Sequence, residues 1–355
     1  MTCVSDFPTE TLLHIFELIC DDSEIFRQDG KSHYFDISDD HAYYHNLATL
    51  SSACLVCRQW RNVAQPIMWK ELCLTRGVER VLASPIAGRF RTEELVIWLD
   101  GPSSFITSEE LETFFSKLVG PRRLRFEHDY DTEREGYDQD TDTHSVDDYW
   151  LESTKLLDLE DLAIDVPFYE RKASCRTSFK LSSLTVGEFM DSPIVLQSII
   201  TSSQNTLTFL KIEACTEVQS SLIELLPLLA DSLETLFLGL AFTGLPELGT
   251  LSNFKQLKEL TLSMTNINAP CFDHILVNLP SSVCTPKIQV TLTCRRDQDY
   301  NYDFLIERIG TRAGWKGATE IHIRSKEERI AEIPSGVKLL ALCGQNDVDV
   351  RFGWY

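Results

Sequence analysis

Glycine is scarce in this chain: 16 of its 355 residues are glycine, and they form no glycine-rich loop that could hold a phosphate group. The sequence also contains no G-x-S-x-G elbow and no H-E-x-x-H helix. These motifs carry nucleotide binding, serine hydrolysis and zinc peptidase chemistry, so their absence removes the strongest sequence signals of an enzyme. We therefore predict a protein with no catalytic residues, no cofactor and no metal.

Basic residues are also few compared with acidic residues. The chain has 33 Lys and Arg residues against 54 Asp and Glu residues, a net charge of -21. Duplex nucleic acid requires a basic surface, so we expect no nucleic-acid partner. No run of 18 apolar residues is present, and the first residues lack the basic and apolar regions of a signal peptide. We expect no membrane association.

The cysteines do not form the pattern of a secreted disulfide scaffold. There are eleven, an odd number, and they are scattered along the chain. A reducing compartment, the cytoplasm or the nucleus or both, fits this usage best. Cys54 and Cys57 have the spacing of a redox or metal motif, but no second pair of ligands lies at a suitable distance. We interpret them as small apolar residues of a helix.

Two acidic segments interrupt the chain, residues 21–46 and residues 127–148. The first is predicted to be a solvated loop between two helices. The second holds the spacing of a calcium loop from Asp131 to Asp142, but glutamates occupy its third and fifth places, where such loops prefer Asp or Asn. A solvated insertion is therefore favoured, and an enzyme with a metal-dependent site there is left as a third alternative.

Apolar residues near the start of the chain recur at helical spacing. Leu12, Ile15, Phe16 and Ile19 make one stripe, and Pro8 suits the first turn of the same helix. A second stripe is formed by Leu47, Leu50, Cys54 and Cys57. Two short amphipathic helices cannot hold a core alone, so they are predicted to dock against another protein.

The residues of this region resemble the F-box, the motif through which many eukaryotic proteins bind the Skp linker of a cullin-type ubiquitin ligase. The matching residues are Phe7, Pro8, Glu10, Ile15, Phe16, Val56, Cys57, Arg58, Trp60, Arg61 and Trp69. The resemblance implies an F-box at residues 1–72 whose partners are a Skp-type linker and, through it, a cullin. The side chains expected to bind the linker are Phe7, Pro8, Leu12, Ile15, Phe16, Val56, Cys57, Trp60 and Trp69.

After Trp69 the chain begins to repeat the frame L-x-x-L-x-L. Five copies follow one another: Leu159, Leu162, Ile164; Leu181, Leu184, Val186; Leu207, Leu210, Ile212; Leu233, Leu236, Leu238; Leu257, Leu260, Leu262. Most steps between copies lie within the range of leucine-rich repeats. The sequence therefore predicts an α/β fold in which residues 73–355 form an irregular leucine-rich-repeat-like solenoid with a curved parallel sheet.

Weaker copies of the frame flank this run, and the last of them is Leu340-Ala341-Leu342. Cys215 follows one strand at the place where cysteine-type leucine-rich repeats have a Cys or Asn, so this region resembles that of F-box proteins with leucine-rich repeats. Residues between the leucines would line the concave face and contact a target protein. The candidates for target binding are Trp98, Arg123, Arg125, Lys211, Phe237 and His322.

Together these resemblances imply a substrate-recognition adaptor of an SCF-type ubiquitin ligase, whose F-box would bind the linker while the solenoid would bind a target. The alternative is an F-box scaffold that assembles complexes without ubiquitination. Binding to the linker but not to a cullin would favour the scaffold.

Overall fold

A computed structural model describes residues 8–21, 37–74, 83–99, 107–118, 120–128, 146–169, 176–187, 190–213, 221–222, 224–241, 248–265, 287–290, 303, 306, 320–323, 333–346 and 349–352. The chain starts with three helices and continues into a parallel sheet. The structural statements below concern these ranges.

The three N-terminal helices are α1 (Thr9–Asp21), α2 (Ile37–Val56) and α3 (Arg58–Lys70). Helix α1 begins one residue after Pro8, whose carbonyl accepts hydrogen bonds from the amides of Thr11 and Leu12, each at 3.1 Å. The helices enclose a small core formed by Leu12, Phe16, Leu50, Ala53, Cys54, Val63 and Ala64. Trp60 closes this core with an edge-on contact to the ring of Phe16 at 5.5 Å.

The prediction of a loop over residues 21–46 is wrong in part. Asp21 is the last residue of α1, and α2 already begins at Ile37, ten residues before the predicted stripe. The first ten residues of α2 thus belong to the segment that was predicted to be a loop. An acidic composition alone therefore did not distinguish a solvated loop from the first turns of a helix.

The sheet has nine strands, and every neighbouring pair is parallel. The strands are β1 (Glu71–Leu74), β2 (Glu94–Leu99), β3 (Arg123–His128), β5 (Asp161–Ile164), β7 (Ser183–Val186), β8 (Phe209–Ile212), β9 (Thr235–Ala241), β10 (Glu259–Thr265) and β11 (Lys287–Val290). Their order in the sheet is β1-β2-β3-β5-β7-β8-β9-β10-β11. Two further parallel pairs join β4 (Val146–Asp147) to β6 (Phe168–Tyr169), and β12 (Glu320–Ile323) to β13 (Asp349–Phe352).

The predicted strand register is confirmed over the described part of the repeat. Leu162, Leu184, Leu210, Leu236 and Leu260 are aligned as direct partners on successive strands. All five are at most 1% exposed, as are the leucines that precede each strand at 159, 181, 207, 233 and 257. Side chains alternate between the two faces of a strand, so these leucines all point to the same face of the sheet. We call it the inner face, and it is buried in one continuous core.

Helices and 3-10 turns cover the inner face between strands. They are α4 (Ser108–Lys117), α5 (Pro193–Ser203), α6 (Pro334–Gln345) and the 3-10 segments Asp148–Glu152, Thr154–Leu156, Leu226–Leu229 and Leu248–Asn253. Helix α4 starts with a capping box between Thr107 and Glu110. Leu222, Leu225, Leu226 and Leu229 are buried. Among the described helices, none has both the length and the apolar composition that a bilayer crossing requires.

Residues that precede the strands link one coil to the next through their backbones. The carbonyl of Glu160 accepts the amide of Ser183, and the carbonyl of Glu234 accepts the amide of Glu259, each at 3.1 Å. Side chains at the same places form ion pairs between coils, such as Lys258 with Glu234 at 2.6 Å. These pairs are exposed, so each contributes at most about 1 kcal/mol to stability. The backbone ladder is the stronger constraint on register.

The prediction of a strand at Leu340-Ala341-Leu342 is wrong. These residues lie in α6, which has Pro334 in its first turn and buries Leu339 and Cys343 at a spacing of four. The spacing of four places both on one helical face, and the hydrophobic triplet was therefore part of a helical pattern. The strand that pairs with β12 is β13 instead.

Candidate binding surfaces

The residues predicted to bind a linker divide into two groups in the structure. Leu12 and Phe16 are 1% and 2% exposed and hold the helices together. Ile15 and Val56 are 40% and 51% exposed, and Pro8 is exposed at the start of α1. Phe7 lies outside the described residues. Only the second group could contact a partner without rearrangement of the helices.

Three exposed apolar residues were not among the predicted contacts. Leu13 is 40% exposed, Leu18 is 51% exposed, and Leu55, next to Val56 at the end of α2, is 80% exposed. Leu18 follows Ile15 by one helical turn, so the two are surface neighbours. The signal for these positions was present in the helical spacing. The missing information was which side of the stripe the other helices would cover.

Cys57 stands between α2 and α3 and is half-buried. Here Arg61 reaches back from α3, and its Nε donates a hydrogen bond to the carbonyl oxygen of Cys54 at 3.0 Å. This bond satisfies one of the carbonyls that the end of α2 leaves open, and it fixes the corner between the helices. The Val-Cys-Arg-x-Trp-Arg segment therefore has a structural role at this corner.

The thiol of Cys54 donates a hydrogen bond to the sulfur of Met68, and the two sulfur atoms are 3.7 Å apart. Burial raises the pKa of the Cys54 thiol, which makes it a poor nucleophile and a poor metal ligand. No group of three or more metal-ligating side chains occurs within the ranges described. The Asp131 to Asp142 segment lies outside those ranges.

The two tryptophans that were predicted to bind the linker pack in different cores. Trp60 is half-buried and packs on the helical core, whereas Trp69 is 8% exposed and belongs to the core beneath the sheet. Met68 touches both cores. The end of α3 is also bonded to the sheet, because the carbonyl of Lys70 accepts the amide of Glu93 at 2.8 Å. The helices and the sheet are therefore joined at α3 by packing and by a backbone hydrogen bond.

The outer face of the sheet carries the residues between the leucines. We use the name outer face for the side chains of Glu94, Val96, Trp98, Arg123, Arg125, Glu127, Asp161, Ala163, Ser183, Thr185, Phe209, Lys211, Thr235, Phe237, Glu259 and Thr261, with Asp165 and Glu213 just past their strands. The target-binding candidates Trp98, Arg123, Arg125, Lys211 and Phe237 share this face. The side chain of His322, on β12, lies outside what the structure describes.

Glu94 is the most buried acidic side chain of this face that the structure describes, at 4% exposure. Arg123, its direct partner on β3, places Nη1 at 2.5 Å from one carboxylate oxygen. The other oxygen finds no hydrogen-bond donor among the described residues. Burial, together with the negative charge of Glu71, raises the pKa of Glu94 to about 7, although Arg123 acts in the opposite direction.

A second set of charges lies beside Glu94. Arg125 is 3.6 Å from Glu127 on the same strand, and Asp161 is the direct partner of Arg123 on β5. Burial raises the pKa of Asp161, while Arg125 and a hydrogen bond from Ser183 act in the opposite direction. The carboxylate of Asp165 fills the space beside Gly187, where any larger residue would collide with it. Among the described residues at this end of the sheet, the carboxylates of Glu94, Glu127, Asp161 and Asp165 are thus grouped around Arg123 and Arg125.

Lys211 is almost fully buried, at 1% exposure. Its Nζ lies 3.3 Å from Glu213 and 4.9 Å from the centre of the Phe237 ring. Burial lowers the pKa of Lys211 to about 8 despite the favourable contact with Glu213. The ammonium is covered in this structure, so a partner would first meet Glu213 and Phe237, which are partly exposed.

Trp98 and Phe237 are both partly exposed, but they lie far apart. Five strand spacings separate β2 from β9, which is about 24 Å at 4.8 Å per spacing. An extended segment of about seven residues would be needed to touch both side chains. They are therefore potential anchors for a long segment or for two separate contacts.

We expect Glu94 to make stability depend on pH. Between its unfolded pKa of about 4.5 and its folded pKa of about 7, the folded state keeps a proton that the unfolded state has lost. The free energy of unfolding therefore falls as pH rises through this window, by up to about 3 kcal/mol, and the cost is absent below it.

The measurement is urea unfolding at several pH values for the parent and the Glu94→Gln variant. The amide cannot ionise, so the difference between the two proteins should shift in favour of Glu94→Gln on going from pH 4.5 to pH 7.5. A difference that stays constant over this range would contradict the assignment.

Comparison with known proteins gives no match, either to a protein-family model or to a curated protein sequence.

Proposed function

We propose that this chain is a substrate-recognition adaptor of an SCF-type ubiquitin ligase. Residues 1–72 would be its F-box and bind a Skp-type linker, which in turn binds a cullin. Residues 73–355 would be an irregular leucine-rich-repeat-like solenoid that binds the target protein. In this proposal the chain itself catalyses nothing, and it accelerates ubiquitin transfer by holding the target near the charged carrier.

The observation that carries the proposal is the combination of the ordered N-terminal motif with exposed apolar side chains on the helices it forms. Ile15, Leu18, Leu55 and Val56 are each 40% or more exposed, although other apolar residues of the same helices are buried. Exposed apolar groups concentrated on a short helical unit are typical of a protein-binding surface. The motif specifies which partner such a surface would bind.

The repeated coils support the second half of the proposal. Parallel strands stacked in one register, each with a buried leucine on the inner face and outward side chains before and after it, create an extended outer face. That face carries Trp, Phe and Arg side chains, and aromatic residues and Arg are enriched at protein interfaces. A target protein is therefore the ligand class that the outer face fits best.

The test is reconstitution of the full chain with a purified Skp-type linker and a cullin. Co-elution of all three proteins at micromolar concentration is the expected result. A folded chain that binds no linker would overturn the proposal, and a chain that binds the linker but excludes the cullin would favour a scaffold role without ubiquitination.

We expect truncation of the two aromatic residues to weaken capture of the target. In the Trp98→Ala, Phe237→Ala double variant the loss should be about 30-fold or more, because a true anchor contributes about 2 kcal/mol or more. Capture of the target by the parent and the variant is compared after circular dichroism has shown that both are folded. Unchanged capture would place the target elsewhere on the chain.

A further inference from the structure

The N-terminal helices and the sheet share one apolar side chain. Among the described residues, Met68 of α3 is the one side chain that packs against both the helical core and the core beneath the sheet. Ala64, one turn earlier in α3, is buried in the helical core, while Trp69, the residue after Met68, is buried in the core beneath the sheet. We call this position the joint. A change in the Met68 side chain would affect the packing of both cores.

The sulfur atom of Met68 has a specific neighbour at the joint. The thiol of Cys54, a buried residue of α2, donates a hydrogen bond to this sulfur, and the two sulfur atoms are 3.7 Å apart. A thiol is a weak donor and a thioether is a weak acceptor. The contact between α2 and α3 therefore depends on close apolar packing around the two sulfur atoms.

Met68 is more accessible to oxidants than Met190, the other methionine whose side chain the structure describes. Met68 is partly exposed, whereas Met190 is 0% exposed in the core beneath the sheet. Oxidation converts the flexible apolar side chain of methionine into a polar and chiral one. At the joint, a sulfoxide oxygen would lie among apolar side chains with the weak donor Cys54 beside it, which is unfavourable.

We propose that Met68 is a redox-sensitive joint, which hydrogen peroxide loosens by oxidising the thioether to the sulfoxide. The sulfur lone pair forms a bond to one peroxide oxygen, the O–O bond breaks, and one molecule of water leaves. A methionine sulfoxide reductase reverses the step, in which two thiols become a disulfide and the oxygen leaves as water. The oxidised side chain loosens the contact of α3 with both cores. This property belongs to the chain itself and does not depend on the proposed partners.

The test is hydrogen exchange of the full chain after a brief treatment with hydrogen peroxide. A thiol reductant is added before the measurement, because it returns reversibly oxidised cysteines to thiols and leaves methionine sulfoxide in place. Peptide mass spectrometry should find the added oxygen on Met68 about tenfold sooner than on Met190. The amides of α3 and β1 should then exchange about tenfold faster or more, while those of β8 and β9 stay unchanged.

Met68→Leu is the matched control, since leucine fills a similar volume and takes up no oxygen. Its amides should exchange like those of the untreated parent both before and after peroxide. Met68→Gln places a polar group at the joint without any oxidant, so it should exchange like the oxidised parent. Treatment of the oxidised parent with a methionine sulfoxide reductase should restore slow exchange.

Three results would overturn the inference. The first is oxidation of Met68 no sooner than that of Met190, and the second is a sulfoxide at Met68 that leaves exchange in α3 and β1 unchanged. The third is equal acceleration in Met68→Leu, which would assign the effect to another residue. If Met68→Gln does not fold, the comparison of the parent with Met68→Leu decides alone. These readouts involve no linker and no target, so this inference and the proposed function can fail separately.

Discussion

Leu236→Asp is expected to unfold the central coils of the sheet. Leu236 is completely buried on β9, between its partners Leu210 on β8 and Leu260 on β10. The substitution removes a leucine, which alone costs about 2 to 5 kcal/mol in a core, and adds a carboxylate that has no partner there. A domain is stable by about 5 to 15 kcal/mol in total, so the loss is comparable with the whole.

The adjacent residue is the matched control. Thr235 begins the same strand but points to the outer face, where it is partly exposed between Phe209 and Glu259. Thr235→Asp should therefore change the free energy of unfolding by less than about 1 kcal/mol. Circular dichroism during heating distinguishes the two variants, and hydrogen exchange shows whether damage spreads from β9 to its neighbours. Similar losses in both variants would refute the strand register.

The strand register could be predicted because it depends on local information. In a parallel coil the direction of each side chain alternates with a period of two, and the leucines at 210, 236 and 260 recur at nearly constant steps. The same local rule failed at residues 340–342, where the triplet belongs to a helix that begins at Pro334. A short apolar run of this kind fits either structure, and only its neighbours decide between them.

The charge pairs of the outer face could not be predicted from the sequence. Glu94, Arg123 and Asp161 become direct partners across coils of unequal length, separated by 29 and 38 residues. Their alignment depends on the number of residues between consecutive strands, and the leucine frame does not determine that number. The burial of Lys211 is similar, because a charged residue at an outward position predicts exposure by default.

The helical stripe of α1 likewise predicted which residues are apolar but not which are covered. Leu12 and Phe16 face α2 and α3, and Ile15 lies at the margin of that contact. The difference arises from the crossing of three helices that are distant in sequence. This difference decides what a substitution tests. Replacing the buried Leu12 tests folding, and replacing the exposed Ile15 tests binding.

Replacing Ile15, Leu55 and Val56 together by alanine should abolish most of the affinity for a Skp-type linker. These side chains are 40%, 80% and 51% exposed, so their burial must come from the partner. Full burial of one such side chain is worth about 1.5 to 3 kcal/mol, and scaling by exposure gives about 3 to 5 kcal/mol for the three. Binding should weaken by roughly 150-fold to 5,000-fold.

The fold should persist in this variant, because alanine favours helix and the three side chains contribute little to the core. The matched control is Leu157→Ala, Leu228→Ala and Val337→Ala, which removes exposed apolar groups from elsewhere on the chain. That control should bind the linker like the parent. Leu12→Ala should instead lower the free energy of unfolding by about 2 to 5 kcal/mol, since Leu12 is buried.

Deletion of residues 24–30 tests whether the segment between the first two helices takes part in linker binding. The deletion lies between Asp21, the last residue of α1, and Ile37, the first residue of α2, and it leaves eight of the fifteen connecting residues. Halving the length of a connection changes the closure free energy by only about 0.6 kcal/mol. Linker affinity, measured by calorimetry, should therefore stay within a few-fold of the parent. A large loss of affinity would mean that the acidic segment also contacts the linker. The exposed apolar side chains of α1 and α2 would then be only part of the interface.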